Sequence, residues 1–191
     1  MSERALGEIG VQWIGAGAED AGMLRDLCAH LTAVFGRPAR LLPSSERPSD
    51  SFDPRRGQHS SNRILGWLAA ARPPEVVKLL AVTDVDLFIP VLTFVYGEAQ
   101  LGGQAALVST ARLQDGRGFP RSQAFVSRLQ KEATHELGHT FGLVHCSNPG
   151  CVMSRSVNLI EVDTKGRTPC DDCRASLREG NPEEADEHER R

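Results

Sequence analysis

The sequence predicts an α/β domain of the mixed α+β kind, and three observations carry that expectation. Short apolar runs of strand length alternate with longer segments of helical period through the first half of the chain. Glycine and proline punctuate the boundaries between them. A length of 191 residues suits one substantial core and is too short for two ordinary enzyme domains. We therefore expect one domain over residues 1–180, followed by an acidic tail at 181–191 whose composition predicts disorder.

Residues 9–14 alternate as a strand does, and Met23, Leu24, Leu27, Leu31, Val34 and Phe35 recur at helical spacing within 19–35. Gly36 ends that helix. Residues 40–42 form a second candidate strand, and the Pro- and Ser-rich stretch from 43 to 60 reads as an exposed loop. Asn62 is a candidate cap for a helix to Ala71, since Pro73 and Pro74 bar its continuation. The nearly continuous apolar run at 76–82 suits a central strand buried on both faces. Residues 88–96 and 105–110 are two more candidate strands, separated by Gly97, Gly102 and Gly103. Pro120 opens a long helical pattern through His139, with Phe125, Leu129, Ala133 and Leu137 along one side. A short helical stretch is expected near 156–162, and no internal repeat is visible.

Composition excludes some classes. A net charge of -3 with 25% charged residues lacks the basic excess of a nucleic-acid binder. The first residues lead into no apolar leader, and no stretch approaches the length of a membrane span, so we expect a cytoplasmic protein without a membrane partner, and a monomer. Four of the five cysteines, Cys146, Cys151, Cys170 and Cys173, fall in the last quarter of the chain. In a reducing compartment such a cluster more often binds metal than forms disulfides.

The chemistry concentrates at residues 135–145. His135 and His139 lie four apart on the predicted helix, which places two imidazoles on one face with Glu136 beside them. Gly142 can take the left-handed conformation that ends a helix and return His145 toward the pair. Three such ligands leave one position of a zinc ion open to water, as hydrolysis requires. Chance would supply the short His-Glu-x-x-His pattern on the order of once per hundred chains of this composition, and the glycine and third histidine lower that to roughly a few per hundred thousand. Cys146-x-x-x-x-Cys151 and Cys170-x-x-Cys173 suit a second, closed zinc site of four thiolates, a structural one, in preference to a redox pair. The expected cofactor is therefore two zinc ions per chain.

The extended histidine motif resembles the metzincin signature, in which a methionine turn follows, and Met153 is the candidate for that turn. Its thioether would shape and dry the cage without binding the ion. With the four cysteines around that methionine the chain resembles the archaemetzincin family. The resemblance extends to Arg56-Gly57-Gln58, to Val82-Thr83-Asp84-Val85-Asp86-Leu87-Phe88 and to residues 103–112, covering most of 8–175. It implies a metzincin-like minimal domain with a mixed, twisted sheet, an active-site helix and a zinc-bound C-terminal loop region. It also implies metallopeptidase activity on a peptide or unfolded protein, with Glu136 as general base, and places a substrate-binding edge strand at Gln104, Ala105, Ala106, Leu107, Val108, Ser109 and Thr110. One departure stands out: some metzincins carry a tyrosine two residues after the methionine, and this chain has Arg155 there, its only tyrosine being Tyr96.

The alternative reading is a zinc-binding scaffold with little or no proteolysis, against which the retained Glu136 argues. Nucleic-acid binding through the cysteine site conflicts with the negative charge. Gly15-Ala16-Gly17 lacks the third glycine of a dinucleotide loop. His30, His59 and Cys28 read as ordinary helix, loop and core residues, and His188 as part of the polar tail.

Overall fold

Strand β5 (Val76–Thr83) is the spine of the molecule. This computed structural model describes residues 7–15, 20–114 and 122–179. The acidic tail with His188, the Ala16–Gly17 pair and the opening at Pro120 lie outside them. Val76, Leu79 and Ala81 face one side of the sheet, and Leu80 and Val82 face the other. Both sides are covered, so the whole strand reads as apolar.

Around β5 run β1 (Glu8–Trp13), β2 (Ala39–Leu41), β7 (Gly97–Ala99) and β8 (Ala105–Ser109), in the order β2-β1-β5-β8-β7. All neighbouring pairs are parallel except β7, which runs antiparallel to β8. Helix α1 (Ala21–Phe35), capped by the Asp20 carboxylate and ended by left-handed Gly36, packs with α3 (Gln123–Thr140) on one face. Helix α2 (Ser61–Ala71) covers the other face with Ile64, Leu65 and Leu68. The result is a mixed α/β sandwich, as the sequence predicts.

Several expectations need correction. The polar stretch at 43–60 holds β3 (Phe52–Asp53) and β4 (Gln58–Ser60), which with β6 (Leu87–Phe88) make a second, three-stranded sheet. The strand expected at 88–96 stops at Phe88, because Pro90 has no N–H for a ladder. Helix α4 is Leu159–Thr164, shifted toward the C-terminus from the expected position, and α5 (Asp171–Glu179) was not anticipated. The segment from Gln104 to Thr110 is not an edge. β8 is bonded to β5 on one side and β7 on the other, and all five of its residues are buried. The edge belongs to β7.

The C-terminus of α3 is pinned to the sheet by Lys78 of β5, whose Nζ donates to the Gly103 and Thr140 carbonyls at 2.7 Å each. A cation on the last carbonyls of a helix also meets its negative dipole end. Among the described residues no helix is long and apolar enough to cross a membrane.

Leu107 lies fully buried at the centre of β8. Leu107→Ala should cost about 2–5 kcal/mol, read as a lower urea midpoint at unchanged slope.

Candidate active site

Helix α3 starts at Ser122, whose hydroxyl accepts from Phe125 N, and delivers His135, Glu136 and His139 to the sheet's β7 edge. Beyond the helix Gly142 takes φ 91°, and the chain doubles back so that His145 faces the other two rings. The ring centroids of His135 and His139 are 4.7 Å apart, with His145 at 5.2 and 5.0 Å from them.

Backbone carbonyls orient two of these rings. His135 Nδ1 lies 2.9 Å from Val152 O, and His139 Nδ1 lies 2.7 Å from Leu143 O. A carbonyl only accepts, so each Nδ1 carries the proton and each Nε2 a lone pair. The two Nε2 atoms converge to 3.1 Å. Two nitrogens bound tetrahedrally at about 2.0–2.1 Å from one zinc would stand roughly 3.3 Å apart, so the spacing fits a shared ion. Burial holds all three imidazoles below their ordinary range, His135 furthest. The neutral, ligating forms are thereby favoured.

Glu136 is buried beside this cage. Its position depends on Gly97: a Cβ there would lie 2.6 Å from Glu136 Cγ and 2.5 Å from the Leu107 carbonyl. Only a bare backbone leaves the carboxylate room against the edge strand. Burial, with Glu132 and Glu98 adding, pushes the Glu136 carboxyl well above the usual range, and Lys165 opposes them.

Met153 is fully buried, and Gly138 is what admits it, since a Cβ at 138 would stand 2.7 Å from its Sδ. Cys146 N donates to Met153 O at 3.0 Å, which joins this turn to the residue after His145. The four cysteines of the C-terminal quarter gather beside it. Cys146 Sγ lies 3.8 Å from Cys170 Sγ, and Cys151 Sγ lies 3.8 Å from Cys173 Sγ. A disulfide needs about 2.0 Å. Four sulfurs at about 2.3 Å from one zinc in a tetrahedron would be roughly 3.8 Å apart, which is the observed spacing. Backbone N–H groups of Asn148, Met153 and Cys170 point at these sulfurs, as suits thiolates. Cys170 and Cys173 meet because α5 begins between them.

Sequence reasoning missed what lies behind the cage. Glu132, one turn before Glu136, meets Lys165 Nζ at 2.8 Å with side-chain exposures of 4% and 0%. Lys165 Nζ also lies 3.3 Å from Ser154 O, next to Met153. Arg128 forks onto Asp163 with two bonds of 2.7 Å, and Lys131 Nζ donates to the Val162 and Asp163 carbonyls. A helix with Arg128, Lys131, Glu132 and Glu136 at near-consecutive turns looks solvated in sequence. Its partners are about thirty residues away, which no local pattern reveals.

The histidines and Glu136 open into a cleft of about 420 Å³. Its opposite wall is β7 with Tyr96, and Glu132 and Arg155 also line it. Of the expected substrate strand from Gln104 to Thr110 no residue lines it, because β7 stands between.

A mixed sheet whose edge faces a helix bearing a three-histidine cage and a buried glutamate defines the zinc metallopeptidases of metzincin type. The model of Peptidase family M54 matches residues 48–179. Archaemetzincin from Methanocaldococcus jannaschii is 40% identical over 148 residues, 76% of this chain and 80% of that protein. Archaemetzincin from Methanopyrus kandleri is 38% identical over 144 residues, 75% and 79% of the two chains. The crystal structure of the Methanopyrus kandleri archaemetzincin matches with a TM-score of 0.84 and 31% identity, covering 95% of this chain and 99% of that one. A zinc-dependent peptidase from Methanocorpusculum labreanum matches with a TM-score of 0.78 and 32% identity, covering 88% and 100%. This chain belongs to the archaemetzincins, peptidase family M54.

Removing Lys165 would leave the buried Glu132 carboxylate without its partner. Lys165→Met should cost about 3–5 kcal/mol in chemical denaturation, and adding Glu132→Leu should recover most of it. Equal stability of the single and double variants would contradict the pairing.

Proposed function

We propose that this chain hydrolyses peptide bonds with Glu136 as general base, His135, His139 and His145 holding a catalytic zinc, and Cys146, Cys151, Cys170 and Cys173 holding a structural one. The observation that carries the reading is the placement of Glu136: a buried carboxylate packed against the bare backbone of Gly97, in the cleft that His135 and His139, with their convergent Nε2 atoms, also line. A scaffold would need the ligands and no such base.

Zinc bound at the histidines supplies a Lewis acid that acidifies water and polarises the scissile carbonyl. Glu136 takes a proton from the attacking water and returns it to the leaving amine. Burial raises the affinity of the Glu136 carboxyl for a proton, and the positive charge of a zinc held by the histidines would oppose that shift. His135 and His139 keep their Nδ1 protons on carbonyls throughout, which fixes the direction of their Nε2 lone pairs. Met153 and Gly138 form the dry floor.

The substrate is a peptide or unfolded protein lying extended along β7, which takes the role expected of Gln104 to Thr110. β7 is the outer strand of the sheet, and its residues line the cleft. Free backbone groups on such an edge pair with an incoming strand whatever its side chains.

Glu136→Gln should retain two zinc ions by elemental analysis and lose peptide hydrolysis by about 10²–10⁴-fold. His139→Ala should lose the catalytic ion. A Glu136→Gln variant as active as the parent would exclude the base assigned here. With both ions loaded, a mild chelator should remove the histidine-bound one first, and loss of the cysteine-bound ion should be accompanied by unfolding of residues 146–173, followed by circular dichroism. Simultaneous release with the fold intact would contradict the division into catalytic and structural sites.

A further inference from the structure

The charges of the cleft do not balance once their partners are counted. Glu132 is neutralised by Lys165. The Glu98 carboxyl is pushed up by burial, and the Asn62 amide donates to it when its nitrogen is turned inward. Glu136 belongs to the catalytic cage. Arg155 is left: it is exposed, it lines the cleft, and among the described residues it makes neither an ion pair nor a hydrogen bond. It lines the same cleft as His135, His139 and His145.

The wall around it is apolar. Val157, two residues on, is 59% exposed, and Leu92 across the cleft is 40% exposed; both line the cavity. Val91, next to Leu92 in the chain, and Ile160, three residues after Val157, are also exposed, at 85% and 78%. Large hydrophobics left open around a cleft mark a surface that is covered when something binds. A guanidinium set among them, with no internal partner, presents a planar fork of donors suited to a carboxylate, in surroundings that screen the charge less than open water does.

We propose that Arg155 is a specificity residue that captures a carboxylate of the substrate, with apolar side chains of the same peptide against Leu92 and Val157. The carboxylate is an acidic side chain or the peptide's own C-terminus. This rests on reading the cleft as a peptidase site, and it makes the preferred substrate an apolar segment bearing a negative charge near the scissile bond. With the other charged groups of the cleft answered internally, Arg155 also fixes where along the peptide that charge sits.

The test uses the zinc-loaded full chain and a set of fluorogenic peptides sharing one apolar core. Glu, Gln or Lys is placed at each position in turn, and each peptide is made with a C-terminal acid and with an amide. The best Glu or acid peptide should exceed its Gln or amide counterpart by about 5- to 10-fold in kcat/KM, mostly through KM. Arg155→Ala should erase that preference while leaving the Gln peptide unchanged, Arg155→Lys should restore part of it, and Arg155→Glu should favour the Lys peptide. The pair that carries the effect, Glu against Gln or acid against amide, identifies the source of the carboxylate. Two outcomes overturn the proposal: no carboxylate preference in the parent, or an Arg155→Ala variant whose kcat falls equally on every peptide, which would put Arg155 on the reacting carbonyl. If no peptide is cleaved, the peptidase reading fails, and Arg155 is judged by Kd from fluorescence anisotropy on the same zinc-loaded chain. The same preference is expected there, and its absence overturns the inference.

Discussion

A lysine ammonium with no exposure to water has to be answered by charge or it destabilises the fold, and Lys165 is among the largest fully buried side chains of this molecule. The answer is Glu132, and the geometry of that answer organises the C-terminal half. The pair ties the middle of α3 to the end of α4, while Lys165 reaches back to the carbonyl of Ser154 beside Met153. Three segments far apart in sequence thus converge on one ammonium, directly behind the histidines. Arg128 with Asp163, and Lys131 with the last carbonyls of α4, extend the same seam toward the start of the helix.

The histidine cage and the sulfur cluster are consecutive in the chain, since Cys146 follows His145. The bond from Cys146 N to Met153 O closes this short stretch into one unit. Burial has opposite consequences in the two places. At the histidines it disfavours the protonated ring and so keeps the ring lone pairs free. At Glu136 it disfavours the charged carboxylate and so raises its affinity for a proton.

What the sequence reveals follows from how local each cause is. β5 is legible because both of its faces are buried, which leaves an apolar run interrupted only by Lys78 before Thr83 ends it. The histidine motif is legible because helical spacing and one glycine settle its geometry within eleven residues. The second sheet is not legible, because strands of two or three residues such as Phe52–Asp53 are held by their neighbours and carry no period of their own. β8 reads equally well as an edge or an interior strand from its residues alone; only the three residues of β7, Gly97–Ala99, decide the matter, and they look like a turn. The Glu132–Lys165 pair joins residues 33 apart, so neither member stands out until the chain is folded.

Helix α3 is poor in apolar side chains yet mostly buried, with Arg128, Lys131, Glu132, Thr134, His135 and Glu136 all enclosed. Such a segment gains little from hydrophobic collapse, and each of its polar groups is costly to desolvate until its distant partner arrives. It has no autonomy as a helix. Its stability is therefore coupled to that of α4, whose residues answer Arg128 and Lys131, and to Lys165, which answers Glu132. A chain in which those packed segments came apart would keep the histidines and Glu136 but lose the geometry that joins them, so the integrity of the site tracks the stability of the whole domain.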